Sequence, residues 1–287
     1  MANLSRQNIK NHFPFTLEIK PYWHDHFFEG KAILPAVEAL IVLAGAVRGQ
    51  YPQANLQMLT QASFPRMLII DPALDRQGVQ LEIESSESGI SASLLTSVKI
   101  NNGAMSRTLE HARATFSKNM ALPPPTLTCR DARKMASECI NVPAATIYRE
   151  LIPFGAAYQN IVSDLSVSEE GALADISGGN GEANDQLLGS PFVLDAAMHA
   201  ACVWGQRFAD IVSFPVGFDR RIIYNTTRTG MSYCTRIKPV SASGGTLIFH
   251  AWIFDSDGIL CENIHGLQMR DISQGRLRPP RWIKEGV

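Results

Sequence analysis

Two short patterns in this chain carry residues whose types and spacing suit proton chemistry. His26 opens the run H-x-x-x-G-x-x-x-x-P, with Gly30 and Pro35 at its fixed offsets, inside YWHDHFFEGKAILPAVEAL, residues 22–40. Asp195 and His199 stand at i and i+4 in SPFVLDAAMHAACVWGQRF, residues 190–208, which places them one turn apart on one face of a helix. Histidine exchanges protons near neutral pH because its pKa lies there. A carboxylate is seldom buried in an apolar helix without a partner, so Asp195 needs a reason to be where it is. Each also has a plainer reading on spacing alone: a histidine in a polar turn next to His24 and Asp25 is often a surface residue, and a first-turn aspartate is favoured by the helix dipole.

The elements that must position these groups follow from the flanking sequence. Residues 35–47, PAVEALIVLAGAV, carry one charge, Glu38, and read as a helix buried on most sides. Pro35 suits its first turn, where a missing N–H costs nothing, and Gly30 permits a backbone conformation or close approach that a side chain forbids. The expected result is a histidine on a turn facing the positive end of a buried helix, an end able to hold a developing negative charge. In the second pattern Ser190 is a candidate N-cap and Pro191 a first helical residue.

Strands surround both helices. Residues 14–22 read as an entry strand, and 56–70, 79–88, 91–100 and 106–118 as further strands, separated by Asp71-Pro72, the cluster at residues 85–89 and Asn101-Asn102-Gly103. Three successive prolines in ALPPPTL, residues 121–127, fit neither a paired strand nor a helix interior and mark the best boundary. Beyond it come helical pieces at 129–139 and 144–151, strands at 161–168 and 172–176, a Gly- and Asn-rich loop, the helix at 190–208, and strands at 219–226, 230–238, 245–255 and 258–270. Helix plus antiparallel meander thus occurs twice, an α+β layout. A sheet wrapped round a central helix is the hotdog fold, so the expectation is a double hotdog with two antiparallel sheets: residues 1–120 for the first, 121–143 for the linker and 144–287 for the second.

With 287 residues, 45% hydrophobic and 18% charged, the chain can bury one large core or two of medium size. Net charge is −1, and no basic run suggests nucleic acid. Five cysteines (129, 139, 202, 234 and 261) lack CxxC or zinc-like spacing and read as reduced thiols. No apolar run is long enough to span a bilayer and the N-terminus has no signal-peptide core, so no membrane and a cytoplasmic setting are the expectations.

The His26–Gly30–Pro35 pattern resembles the histidine motif of dehydratase domains of polyketide and fatty-acid synthases, and D-A-A-M-H at 195–199 is similar to that family's D-x-x-x-[QH] on the second hotdog helix. IYRELIPFGAAYQ, residues 147–159, resembles the family's Y…GPxFQ element, matched by Gly155, Tyr158 and Gln159 with Ala156 in place of the proline. SFPVGF at 213–218 and TLEHARATF at 108–116 are similar to further family segments. Ala36 after the motif proline and His199 for the commoner glutamine are departures.

The resemblance implies removal of water from a 3-hydroxyacyl thioester to give a 2-enoyl thioester. It assigns His26 as base for the Cα proton and Asp195 as acid for the departing hydroxyl, kept neutral by desolvation in its apolar helix. His199 holds Asp195 or the hydroxyl, and N–H groups near Gly30 or at the start of the Pro35 helix polarise the thioester carbonyl. Gly155, Tyr158 and Gln159 would border the substrate. No metal or other cofactor is implied: the substrate arrives on phosphopantetheine, carried by an acyl-carrier protein or, as a soluble substitute, coenzyme A. Other synthase enzymes are possible partners, and a monomer or homodimer is expected, free-standing rather than excised. The competing readings are a double-bond isomerase or polyketide cyclase on the same residues, a non-catalytic acyl-binding hotdog, and a hotdog thioesterase.

Overall fold

A computed structural model describes residues 9–100, 105–118, 123–180 and 187–285. The turn expected at Asn101-Asn102-Gly103, the first residues of the proline interruption and most of the Gly- and Asn-rich loop lie outside these. Twelve antiparallel strands form one continuous sheet. The first half supplies β1 (Ile9–Glu18), β4 (Met58–Ser63), β5 (Arg76–Ser85), β6 (Gly89–Ile100) and β7 (Met105–Ser117). The second supplies β8 (Ile140–Val142), β9 (Leu165–Ser168), β10 (Gly171–Ser177), β11 (Phe214–Ile223), β12 (Ser232–Ser243), β13 (Thr246–Asp255) and β14 (Leu260–Arg270). A separate two-stranded hairpin, β2 (Phe27–Phe28) and β3 (Lys31–Ala32), follows His26.

The spatial order is β1-β5-β6-β7-β4-β11-β14-β13-β12-β10-β9-β8. The two sheets expected from the sequence are therefore fused, and the seam is the β4–β11 pair, with Thr60 opposite Arg220 and Ala62 opposite Phe218. Each half curls round its own helix. Helix α1 (Ala36–Gln50) packs on β5, β6 and β7, α4 (Pro191–Phe208) packs on β9 to β13, and the two helices touch each other. This is the double hotdog.

Both helices are apolar because both are enclosed. In α1 Val37, Ala39, Leu40, Leu43, Ala44 and Val47 are buried, and in α4 every residue from Pro191 to Gln206 is. Leu40, Leu43, Leu81, Leu94 and Phe116 belong to the same core as Val193, Val203, Phe249 and Leu267, so one core runs across the seam.

Several elements differ from the pattern reading for local reasons. The strand expected over 56–70 ends at Ser63, since Pro65 has no N–H for a ladder. The chain beyond it instead meets the start of α1, Leu34 N–H donating to Leu68 O and Ile70 N–H to Ala32 O. The helix expected over 129–139 is one turn, α2 (Cys129–Ala132), in which only Ala132 is buried. Residues 144–151 form a short turn, α3 (Ala144–Thr146), that widens into a π-helical turn at Ile147–Leu151. β8 falls inside the stretch read as linker, β1 begins earlier than residue 14 and gives way to a 3-10 turn at Pro21–Asp25, and the tail carries α5 (Arg281–Glu285). Pro35 is the N-cap of α1 rather than a first-turn residue.

Candidate active site

His26 is presented by a turn locked at both ends. Its own N–H donates to Trp23 O at 3.1 Å, closing the Pro21–Asp25 turn, and its carbonyl accepts from Ile33 N–H at 2.9 Å. Between these lies the β2–β3 hairpin, whose two loop residues, Glu29 and Gly30, both have positive φ (48° and 74°). That is the combination a two-residue hairpin with the strand twist needs, and glycine meets it without strain. Gly30 therefore shapes the hairpin that returns the chain to α1.

The 3-10 turn is in turn tied to α1 by Glu38. This carboxylate, fully buried, accepts from Tyr22 Oη at 2.8 Å and Lys20 Nζ at 3.2 Å. Burial and the adjacent Glu38 push the Tyr22 hydroxyl well above its ordinary range, so it stays a neutral donor. Glu38 had no role in the sequence reading; here it fixes the approach to His26.

Asp195 comes from the other half. The start of α4 is anchored by a buried network: Arg221 Nε donates to Glu262 Oε2 at 2.8 Å, Arg221 Nη2 to Leu188 O at 2.8 Å, and Ser190 N–H to Thr227 Oγ1 at 3.0 Å. Ser190 does not cap α4 with its side chain; its hydroxyl donates to Gly178 O. The contact of α1 with α4 then brings His26 Nε2 to 4.0 Å from Asp195 Oδ1. Residues 169 positions apart in sequence thus face each other, as the two motifs imply.

His199 lies on the far side of the carboxyl group, its Nε2 3.0 Å from Asp195 Oδ2. The contact is close but not aligned as a hydrogen bond, so neither atom has a hydrogen-bond partner among the described residues. Tyr148 sets the ring. Its hydroxyl accepts from Ile161 N–H at 2.7 Å and lies 3.5 Å from His199 Nδ1. Burial raises the Tyr148 hydroxyl far above its usual range and keeps it a donor.

His26 itself is pulled down to about 4, first because burial removes the water that would stabilise the imidazolium, and further by His199; Asp195 opposes the shift. At neutral pH the ring is therefore uncharged, with a lone pair available. Phe154 packs on it at 4.3 Å between ring centroids and also contacts His199 at 5.3 Å; Tyr158 meets it edge-on at 5.0 Å.

These groups open onto a cavity of about 220 Å³. His26, Asp195 and His199 line it together with an apolar wall that includes Ile33, Leu34, Leu94, Ile152, Phe154, Met198 and Phe214. Ala36, the first residue of α1, is also in the wall, so the helix end whose first N–H groups lack intrahelical partners borders the cavity. Of the other residues expected to contact substrate, Gly30 and Pro35 shape the backbone behind His26 and are not in the wall. Gly155 lies against Asp25, Tyr158 is fully buried with a hydroxyl that has no hydrogen-bond partner among the described residues, and Gln159 is exposed, donating to Phe154 O at 2.8 Å. Asp25, Tyr148 and Phe154 were given no role in the sequence reading, although Asp25 stands beside His26 and the other two lie in the 147–159 segment compared with Y…GPxFQ.

Residues 143–279 match the family model described as Polyketide synthase dehydratase N-terminal domain, although here they form the second of the two hotdogs. Solved dehydratase domains share the fold over nearly the whole chain. The dehydratase domain from the CurF module of the curacin polyketide synthase superposes with a TM-score of 0.72 at 17% identity, covering 94% of this chain and 95% of that one. The dehydratase domain of a mycocerosic acid synthase-like polyketide synthase gives 0.71 at 18%, covering 91% and 90%. A trans-AT polyketide synthase dehydratase domain from Brevibacillus brevis gives 0.70 at 18%, covering 92% and 94%. No curated protein sequence matches the chain. Among the described residues no helix is long and apolar enough to cross a membrane, and no cluster of three or more His, Cys, Asp or Glu could hold a metal ion.

Proposed function

We propose that this protein is a hydro-lyase that converts a 3-hydroxyacyl thioester to a 2-enoyl thioester in polyketide or fatty-acid biosynthesis. The observation that carries this reading is the placement of His26 and Asp195, 4.0 Å apart on separate hotdogs, at one end of an apolar cavity. His26 Nε2 takes the proton from Cα, the electron pair forms the Cα–Cβ double bond, and the C–O bond at Cβ breaks as Asp195 delivers a proton to the leaving hydroxyl. One water departs and the thioester is otherwise unchanged. The uncharged state of His26 supports the base role, and His199 Nε2 flanks the carboxyl group on its far side, 3.0 Å from Oδ2. Free N–H groups at the start of α1 are suited to the negative charge that builds on the thioester oxygen. Side chains supply both proton transfers, so the step calls on no metal or other cofactor.

Such a substrate enters on a long arm, and an acyl-carrier protein bearing phosphopantetheine is the partner proposed to present it. The test is mass spectrometry of the purified protein with a 3-hydroxyacyl-phosphopantetheine thioester. Loss of one water from the native protein's substrate, abolished in both His26→Ala and Asp195→Asn, supports the assignment. No mass change across several acyl lengths overturns it, and an enoyl thioester then tests for double-bond isomerisation.

A further inference from the structure

The 3-10 turn before His26 ends in Asp25, which reaches across to a segment 132 positions away. Its carbonyl accepts from Gly155 N–H at 2.8 Å, and its Oδ2 accepts from Ala157 N–H at 2.9 Å. The fit leaves no room: a Cβ at residue 155 would lie 2.4 Å from the Asp25 carboxylate, so the carboxylate occupies the space that only a glycine leaves open. Asp25 makes no ion pair among the described residues, so it is spent on this backbone turn. The turn matters because the residues on either side of the clasped amides, Phe154 and Tyr158, are those packed on the His26 ring.

We propose that Asp25 is a positioning residue of the site. Its side chain and its own carbonyl clasp the 155–157 turn to the histidine turn, so that Phe154 and Tyr158 wall in the His26 ring and fix its direction toward Asp195. Asp25 touches neither substrate nor the reacting atoms. The kinetic consequence rests on the dehydratase reading; the structural consequence does not. The ionisable groups around the ring are Asp195 and His199 from α4 and Tyr158 from the clasped turn, with the Asp25 charge bearing on the Tyr158 hydroxyl. Loss of the clasp admits water and raises the pH at which His26 titrates, whereas loss of a nearby negative charge alone would lower it. The sign separates the two roles.

The experiment is NMR titration of histidine-labelled native protein, Asp25→Ala, Asp25→Asn and Gly155→Ala, each checked for folding by circular dichroism, with His26 assigned by its disappearance in His26→Gln. The native ring titrates near about 4. Asp25→Ala and Gly155→Ala move it toward the ordinary 6.5, while Asp25→Asn, which keeps an acceptor for Ala157, holds it low. With substrate, the first two lower kcat by about 100-fold, the scale of a 1 Å misplacement, and leave KM nearly unchanged. An unmoved or lowered titration in Asp25→Ala overturns the proposal. If that variant does not fold, an unmoved titration in folded Gly155→Ala does so instead. If the native protein turns over no hydroxyacyl substrate, the reaction assignment fails while the titration result still decides the role of Asp25.

Discussion

Burying His26 in its neutral form ties the stability of the protein to pH. The ring titrates at 6.5 when free and at about 4 in the fold. Between those values the unfolded chain binds a proton that the native state does not, so stability rises with pH across this window and falls as the solution is acidified. At 1.36 kcal/mol per unit, the lost stability between pH 7.5 and pH 5.0 is about 2 kcal/mol, growing to about 3 kcal/mol at pH 4. His111, also lowered by burial, adds a loss of the same sign. The clean quantity is therefore a double difference: urea unfolding of native protein and His26→Gln at the two pH values, followed by circular dichroism. The native protein should lose about 2 kcal/mol more than the variant, because only the His26 contribution fails to cancel. Equal losses would refute the claim that the fold holds this ring uncharged against protonation, and with it the argument that His26 is a ready base.

Other outcomes follow from the same geometry. The acid limb of the kcat/KM profile should have its midpoint near about 4, since the neutral ring is the active form; a midpoint at the ordinary histidine value would sink this. Gly30→Ala puts a side chain at φ +74° where its Cβ meets nothing within 4 Å, so the cost is all backbone, roughly 1–2 kcal/mol in unfolding free energy, with Gly30→Asn milder. Glu38→Leu leaves the Tyr22 hydroxyl and the Lys20 ammonium without their acceptor and should lower the urea midpoint by an amount worth about 1–3 kcal/mol. Arg221→Met strands the fully buried Glu262 carboxylate and should cost about 3–5 kcal/mol, whereas replacing both residues with apolar ones should recover much of it.

The helices and most strands were legible because their signals are local. A run such as PAVEALIVLAGAV has no polar face to expose. The meeting of His26 with Asp195 was legible only through the resemblance, since no spacing within one strand or helix encodes a contact across the seam. What was missed lies where tertiary contact overrides pattern. Residues 64–70 are apolar enough for a strand, yet they are drawn off the sheet to pair with the entry to α1. Asp25 looks like one more polar residue in a turn, and Tyr158 and Gln159 like a pair, until the fold buries one and turns the other to solvent. The value of Glu38 is invisible without Tyr22 and Lys20 folded back on it.

The seam between β4 and β11 acts as a gauge. Each half carries one reactive group, so the distance between them is set by which residue of β4 sits opposite which residue of β11. A slip of one residue turns every side chain of a strand to the opposite face. A slip of two restores the faces but displaces one half along the other by about 7 Å, more than the 4.0 Å that separates His26 from Asp195. Lengthening a surface loop leaves that gauge alone, whereas a single inserted or deleted residue in either seam strand resets it, which makes β4 and β11 intolerant of a change in length.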